Sequence, residues 1–219
     1  MYSSITKDTT IAQGLIKTGR IVAFPTGTTY GLAVDALKGH ALQRLRNLKQ
    51  RSQDKTFTVF LKESLNSEFL ELTDNELSLI IKMKNQPLTL LVKPKAALKH
   101  LHKDGLIGLR IIDHPLMKQF ADAVDVPLTA TSANISDSQP CFSTECIQKQ
   151  FPGLLDTTSK AYGNIEPAGH TTYDLSLGCI LDGGNLPEAQ PSTIAKITNG
   201  IIEIVREGSI NKQAIAINL

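Results

Sequence analysis

Cysteine is scarce: 3 of 219 residues, Cys141, Cys146 and Cys179, an odd number with no Cys-x-x-C among them. Disulfide-framed domains carry even, closely patterned sets, and structural zinc sites use paired ligands. Three reduced, partly buried thiols are therefore expected. No apolar run is long enough to span a bilayer. The first eight residues lack the charged and apolar regions of a secretory signal. A cytoplasmic chain with no membrane partner is the expectation, and the Asn134-Ile135-Ser136 sequon then carries no weight. Aromatic residues make up only 5% of the chain, which argues against stacking-based RNA recognition. A net charge of +2 does not by itself indicate nucleic-acid binding, although it leaves a local basic cavity open.

Several motifs are also missing. No Gly-x-Gly-x-x-Gly occurs, so a dinucleotide fingerprint has no support. Gly14 to Arg20 superficially resembles a P-loop, but it lacks the Lys-Ser/Thr ending and precedes the strand it should follow. Ser52-x-x-Lys55 and Lys17-Thr18-Gly19 match two β-lactamase fragments in reversed order, as chance would produce. His100-Leu101-His102 has no acidic or cysteine ligand beside it and reads as an ordinary surface pair. His114-Pro115 reads as a helix entry. No credible nucleophile triad is present.

What is there suits one α/β domain. At 41% hydrophobic the chain can bury a real core. Asp8 caps a helix with apolar positions Ile11, Leu15 and Ile16, ending at Gly19. Ile21 to Phe24 is a buried strand stopped by Pro25. Ala41, Leu42, Leu45 and Leu48 have helical spacing and carry Lys49 and Arg51 to a helix C-terminus. Thr73-x-x-Glu76 is a capping box. Strands are expected over 57–61, 88–92, 107–111, 127–131, 179–181, 192–197 and 201–205. Helices are expected after His114-Pro115 and after Ser143. Gly183-Gly184 and Asn199-Gly200 mark turns. Residues 152–172 read as a long surface loop. Helices and strands alternate and the late strands are joined by hairpins, which predicts a mixed sheet.

Three segments carry the chemistry. Pro25-Thr26-Gly27-Thr28-Thr29-Tyr30-Gly31 offers hydroxyls beside glycines that admit close backbone approach. It reads equally as a strand-to-helix loop with threonines capping backbone groups. Lys49, Arg51 and Lys55 put three cations within seven residues, enough to neutralise a triphosphate. Thr131-Ser132-Ala133-Asn134 sets two hydroxyls and an amide at the end of an apolar strand, where open α/β sheets bind ligands. Pro191-Ser192-Thr193 and Arg206 repeat the pattern near the C-terminus.

In that order, and with Gln86-Pro87-Leu88-Thr89, Gly108 to Pro115 and Asp182-Gly183-Gly184 between them, these segments resemble the YrdC-type L-threonylcarbamoyladenylate synthase family. The resemblance runs from about Ile5 to Ser209. It implies a single YrdC-like domain over residues 1–219, with 210–219 as a tail. Its fold would be a twisted mixed parallel/antiparallel sheet flanked by helices, with a concave basic cavity. The chain looks like the short form, without the C-terminal domain of longer relatives. It departs from the family pattern at Gly27, where an acidic residue is common, and at Ser52 and Thr56, where proline is usual or frequent. It departs again at Asn85-Gln86, in place of Pro-Gly, and at Asp137, in place of Gly.

The resemblance also implies a reaction. L-Threonine, bicarbonate and ATP with Mg2+ give threonylcarbamoyl-AMP and pyrophosphate, for a tRNA-modifying transferase complex acting beside the anticodon. Carried over by position, Lys49 and Arg51 would be the catalytic cations. Lys49, Arg51, Lys55, Ser132, Asn134 and Arg206 would contact ATP. Thr26, Arg110, Thr131 and Ser192 would line the threonine and bicarbonate region. No protein metal ligands are expected, and weak tRNA binding is a further expectation. The alternative is a divergent paralogue that binds nucleotide or RNA without synthase activity. A carbamoyl-transfer module for hydrogenase maturation is a third reading, normally fused to other domains.

Overall fold

A computed structural model describes residues 5–102, 104–155 and 178–216. Alternation of side chains on its strands explains both the core and the site. The strands are β1 (Ile5–Thr6), β2 (Ile21–Pro25), β3 (Tyr30–Ala33), β4 (Thr58–Phe60), β5 (Leu70–Glu71) and β6 (Leu88–Pro94). They continue with β7 (Ile107–Arg110), β8 (Leu128–Ser132), β9 (Gly178–Leu181), β10 (Thr193–Thr198) and β11 (Ile201–Arg206). They form one sheet in the order β1-β9-β2-β3-β8-β4-β7-β6-β10-β11, with β5 joined to β6. The pairs β1–β9, β2–β9, β4–β7 and β6–β10 are parallel and the others antiparallel, so the mixed sheet expected from the sequence is present.

Two layers of apolar side chains hold the sheet. Helices α1 (Thr9–Lys17) and α5 (Pro115–Ala123) pack on the first, built from Ile16, Val22, Phe24, Phe60, Met117 and Phe120. The rings of Phe24, Phe60 and Phe120 lie 4.8 to 6.1 Å apart. Each fully buried side chain of this kind contributes roughly 1.5–3 kcal/mol. The second layer gathers Leu88, Leu90 and Val92 of β6 with Ile107 and Leu109 of β7. It also takes residues from α2 (Gly39–Lys49), α3 (Asn66–Phe69) and α4 (Asp74–Lys82). Because strand side chains alternate, the residues between these apolar positions, Thr89, Gly108 and Arg110, face the other side of the sheet.

The helix ends follow local chemistry. Asp8 accepts from the Thr10 amide at 2.8 Å. Thr73 and Glu76 complete a reciprocal capping box, with the Glu76 carboxylate accepting from the Thr73 amide at 2.7 Å. His114 caps α5 through its ring nitrogen, as a helix entry should. Ser143 caps α6 (Thr144–Gln150), accepting from the Cys146 amide at 3.3 Å.

Three expectations change. Tyr30 to Ala33 is a strand, β3, paired antiparallel with β2, so the threonine segment is a hairpin turn rather than a strand-to-helix loop. His100 and His102 are both exposed, the surface pair expected; His100 lies in a 3-10 turn with its Nε2 2.9 Å from the Ala36 carbonyl, and His102 accepts from the Gly105 amide. Cys141 and Cys146 form a disulfide, against the expectation of three thiols. The first turn of α6 brings their Cα atoms to 5.4 Å, within bonding reach. Cys179 alone is free, and burial pushes its thiol up to about 12. Of the expected loop over 152–172, residues 152–154 form a 3-10 turn. Everything beyond Leu155 in that loop lies outside the described residues.

Candidate active site

On the sheet face opposite the second apolar layer lies a cavity of about 1140 Å³. Sheet register assembles its floor from distant segments. Arg110 pairs with Thr89, Thr89 with Ile194, and Ile194 with Arg206, a row running across β7, β6, β10 and β11. Toward the other side, Thr58 pairs with Ala130, and Ser132 with Gly31. Gly108 keeps the floor low, because a Cβ there would come within 2.5 Å of the Thr58 methyl group.

One wall is the β2–β3 turn. Thr26 Oγ1 donates to the Thr29 carbonyl at 2.7 Å and accepts from the Thr28 and Thr29 amides. Thr26, Thr28 and Thr29 all line the cavity. Tyr30 braces this turn from behind. Its hydroxyl donates to the Gly184 carbonyl at 2.8 Å and accepts from the Gly183 amide at 2.9 Å. A second wall is Thr131, Ser132 and Asn134. Ser132 Oγ donates to Asn134 Oδ1, and Asn134 Nδ2 donates to the Ile135 and Ser138 carbonyls.

The cations divide into two groups. Arg51, Arg110 and Arg206 line the cavity, and Glu188 is its one carboxylate among the described residues. Arg51 donates from Nη2 to the Thr56 carbonyl at 2.6 Å and lies over the Phe57 ring at 5.1 Å; Arg46 lies over the same ring at 4.8 Å. Arg51 Nε is buried and has no hydrogen-bond partner among the described residues. Burial, and then the charge of Arg46, lowers the Arg51 pKa from its ordinary value. Arg206 donates to the Ser192 carbonyl at 2.7 Å, and Ser192 Oγ meets Thr89 Oγ1 at 2.9 Å. Arg110 is 6% exposed and forms an ion pair with Asp113 at 2.5 Å.

Lys49 and Lys55 are placed differently. Lys49 is 1% exposed and is not part of the lining. Its ammonium donates to the carbonyls of Ser132 and Asn134, the latter at 2.6 Å. Burial, reinforced by Arg51, lowers its pKa to about 7. Its position follows from the end of α2, where Gln50 adopts φ 50° and redirects the chain. Lys49 thereby points inward and Arg51 toward the cavity. Lys55 is outside the lining and pairs with Asp137 at 3.4 Å.

Two departures from the family pattern have local explanations. Asp137 and Asn85 have φ of 64° and 63°, left-handed values that Asp and Asn tolerate better than most residues. The Ser52 and Thr56 carbonyls accept from Arg46 and Arg51, as a proline carbonyl would, so nothing in the structure explains the absence of proline there. Thr58, Thr89, Asp113, Phe57 and Glu188 were not anticipated as site residues. For Thr89 the signal is a polar residue at an alternating position inside an otherwise apolar strand. Asp113, three residues beyond Arg110, offers no such signal.

A family model covering Sua5, YciO and YrdC proteins, described as telomere recombination, matches residues 14–208. A protein of Methanocaldococcus jannaschii, provisionally named threonylcarbamoyl-AMP synthase, is 30% identical over 202 residues, 92% of this chain and 86% of that protein. The threonylcarbamoyl-AMP synthase of Pyrococcus abyssi is 28% identical over 91% of this chain, which spans only 54% of that relative. Among solved structures, a doubly substituted Pyrococcus abyssi Sua5 superposes with a TM-score of 0.78 at 25% identity, over 94% of this chain and 58% of that one. Escherichia coli YciO superposes at 0.71 with 20% identity over 93% of both chains, a likeness of fold.

Proposed function

The chain belongs to the Sua5–YciO–YrdC family, and from that premise we propose that it is an L-threonylcarbamoyladenylate synthase. The observation that carries this reading is the cavity. Its three arginines come from three separate parts of the chain, and among the described residues its hydroxyl-rich walls carry a single carboxylate. Small-molecule pockets span roughly 300–1,000 Å³, so a volume of about 1140 Å³ has room for a nucleotide and an amino acid together. Relatives named threonylcarbamoyl-AMP synthase align along most of the chain, and a further Pyrococcus abyssi Sua5 structure was solved in complex with L-threonine.

The proposed reaction needs positioning rather than a side-chain nucleophile. The threonine amine adds to the carbon of bicarbonate with loss of water, giving N-carboxythreonine. The new carboxylate oxygen attacks the α-phosphorus of ATP, and the bond to the bridging oxygen breaks to release pyrophosphate. Negative charge accumulates on phosphate oxygens during that displacement. Preorganised donors that cost no reorganisation stabilise it. Arg51, held by Phe57 and the Thr56 carbonyl and with Nε unpartnered, suits the phosphates, as does Arg206. Arg110 suits the amino-acid carboxylate or the carbamate, beside Thr26, Thr131 and Ser192. Ser132 and Asn134 remain in the ATP wall. Lys49 supports that wall from behind instead of meeting phosphate, and Lys55 stands at its outer edge.

Magnesium enters with ATP as part of the substrate. Among the described residues the lining carries one carboxylate, and no cluster of three or more metal-ligating side chains occurs. The ion's ligands are then chiefly phosphate oxygens and water. The product, a mixed anhydride, suits transfer by a tRNA-modifying transferase complex. Among the described residues no helix is long and apolar enough to cross a membrane.

Pyrophosphate release from ATP by the purified protein, with Mg2+ and bicarbonate, tests the reading. Release that depends on L-threonine supports it. Nucleotide binding without threonine-dependent release overturns it in favour of a nucleotide-binding paralogue.

A further inference from the structure

Behind the threonine turn, the Asp113 carboxylate occupies the space a side chain at position 27 would need. A Cβ on Gly27 would lie 2.5 Å from Asp113 Oδ2 and 2.8 Å from its Cγ. Gly27 does not have the positive φ that would demand glycine. Room for this carboxylate is therefore what excludes a side chain there. The same Oδ2 accepts from Arg110 Nη2 at 2.5 Å, and the Asp113 side chain is 1% exposed. Asp113 Oδ1 is buried and has no hydrogen-bond partner among the described residues. A buried, half-satisfied carboxylate is costly, and such costs are retained mainly where function needs the group. Arg110 has few other anchors. Nη1 reaches the Leu88 carbonyl only at 3.4 Å, and the positive charge of Arg206 bears on it across the cavity.

We propose that Asp113 is a positioning residue that aims the Arg110 guanidinium into the cavity, and that Gly27 is glycine in order to admit it. The inference rests on the proposed synthase reading and adds to it a residue that sets the grip on the amino-acid substrate. Asp113 holds one edge of the guanidinium at the back of the cavity. It also balances the repulsion from Arg206, so Arg110 stays extended toward the substrate carboxylate or carbamate when the cavity is empty. The Thr26–Thr29 turn, resting on the same carboxylate through Gly27, moves together with Arg110.

Steady-state pyrophosphate release and calorimetric titration of L-threonine would be measured for wild type, D113N, R110Q, the double variant and G27A. Asp113→Asn keeps shape and a hydrogen bond but removes the charge. The expected result is a rise of about tenfold or more in the KM and Kd for threonine, a misplacement effect, with the KM for ATP little changed. The double variant should then be no worse than R110Q alone, because Asp113 acts through Arg110. G27A, whose methyl group presses on the same carboxylate, should shift threonine affinity in the same direction. If D113N does not stay folded, G27A carries the test. Unchanged threonine affinity in the folded variants, or a double variant whose loss is the product of the two single losses, overturns the proposal. A wild-type protein that neither binds nor turns over threonine overturns the synthase reading itself, an outcome distinct from either.

Discussion

Lys49 and Arg51 stand two residues apart in sequence and serve opposite ends of the same architecture. Lys49 is sealed under the wall it supports, its ammonium given to two backbone carbonyls. Arg51 lies on the cavity surface, clamped on Phe57, with a buried Nε still unpaired. Across the cavity, Arg110 and Arg206 are nearly one hundred residues apart in sequence and end on the same cross-strand row of one sheet. A cluster of cations in sequence therefore does not measure the charge a ligand meets. Hydrogen-bond satisfaction and sheet register do.

The sharpest way to break this contrast is to remove each cation in turn. Arg51→Ala should lower threonine-dependent pyrophosphate release by on the order of a hundredfold while the unfolding midpoint barely moves. Lys49→Ala should lower activity too, but with a loss of stability of about 2 kcal/mol or more, because buried carbonyls lose their donor. Denaturant titration of the two variants beside turnover separates the roles. Equal stability losses would erase the distinction.

pH sharpens it further. The folded-state pKa of Lys49, lowered to about 7, lies below its unfolded value near 10.5. Between those values the unfolded chain binds the extra proton, so this group makes stability rise as pH climbs from about 7 toward 10. Below about 7 it adds no slope. Stability of wild type and Lys49→Met, followed by urea unfolding across that range, should differ in slope, by at most about 1.4 kcal/mol per pH unit. A smaller effect belongs to the Cys141–Cys146 clip, which flanks the lining residues Pro140 and Phe142. Reduction, or paired serine substitution, should cost about 2 kcal/mol by loop entropy for so short a ring. Thr73→Ala, at the N-cap of α4 and outside the cavity lining, should cost about 1 kcal/mol and leave turnover unchanged, the control for effects on stability alone.

Much of the fold is legible in the sequence because local chemistry fixes it. The caps at Asp8, Thr73, His114 and Ser143 and the apolar strands carry their own signals. β3 escaped because Tyr30-Gly31-Leu32-Ala33 is short and glycine-bearing, and its strand character comes from pairing with β2 and β8. The cavity's hydroxyl and arginine positions follow from ordered motifs, but their availability does not. Whether Lys49 faces phosphate or carbonyl is decided by the left-handed turn at Gln50 and by how closely the end of β8 approaches, both tertiary facts. Asp113 was invisible as a site residue because its role depends on the space left by Gly27. The disulfide was missed because a count of cysteines does not report that a helix turn brings two of them together.

The most direct test uses ¹³C-bicarbonate with L-threonine, ATP and Mg2+, and reads the product by mass. The account predicts an adenylate that carries the label, formed by wild type and nearly lost in Arg51→Ala. An adenylate without the label, or none at all from a protein that still binds ATP, would contradict it.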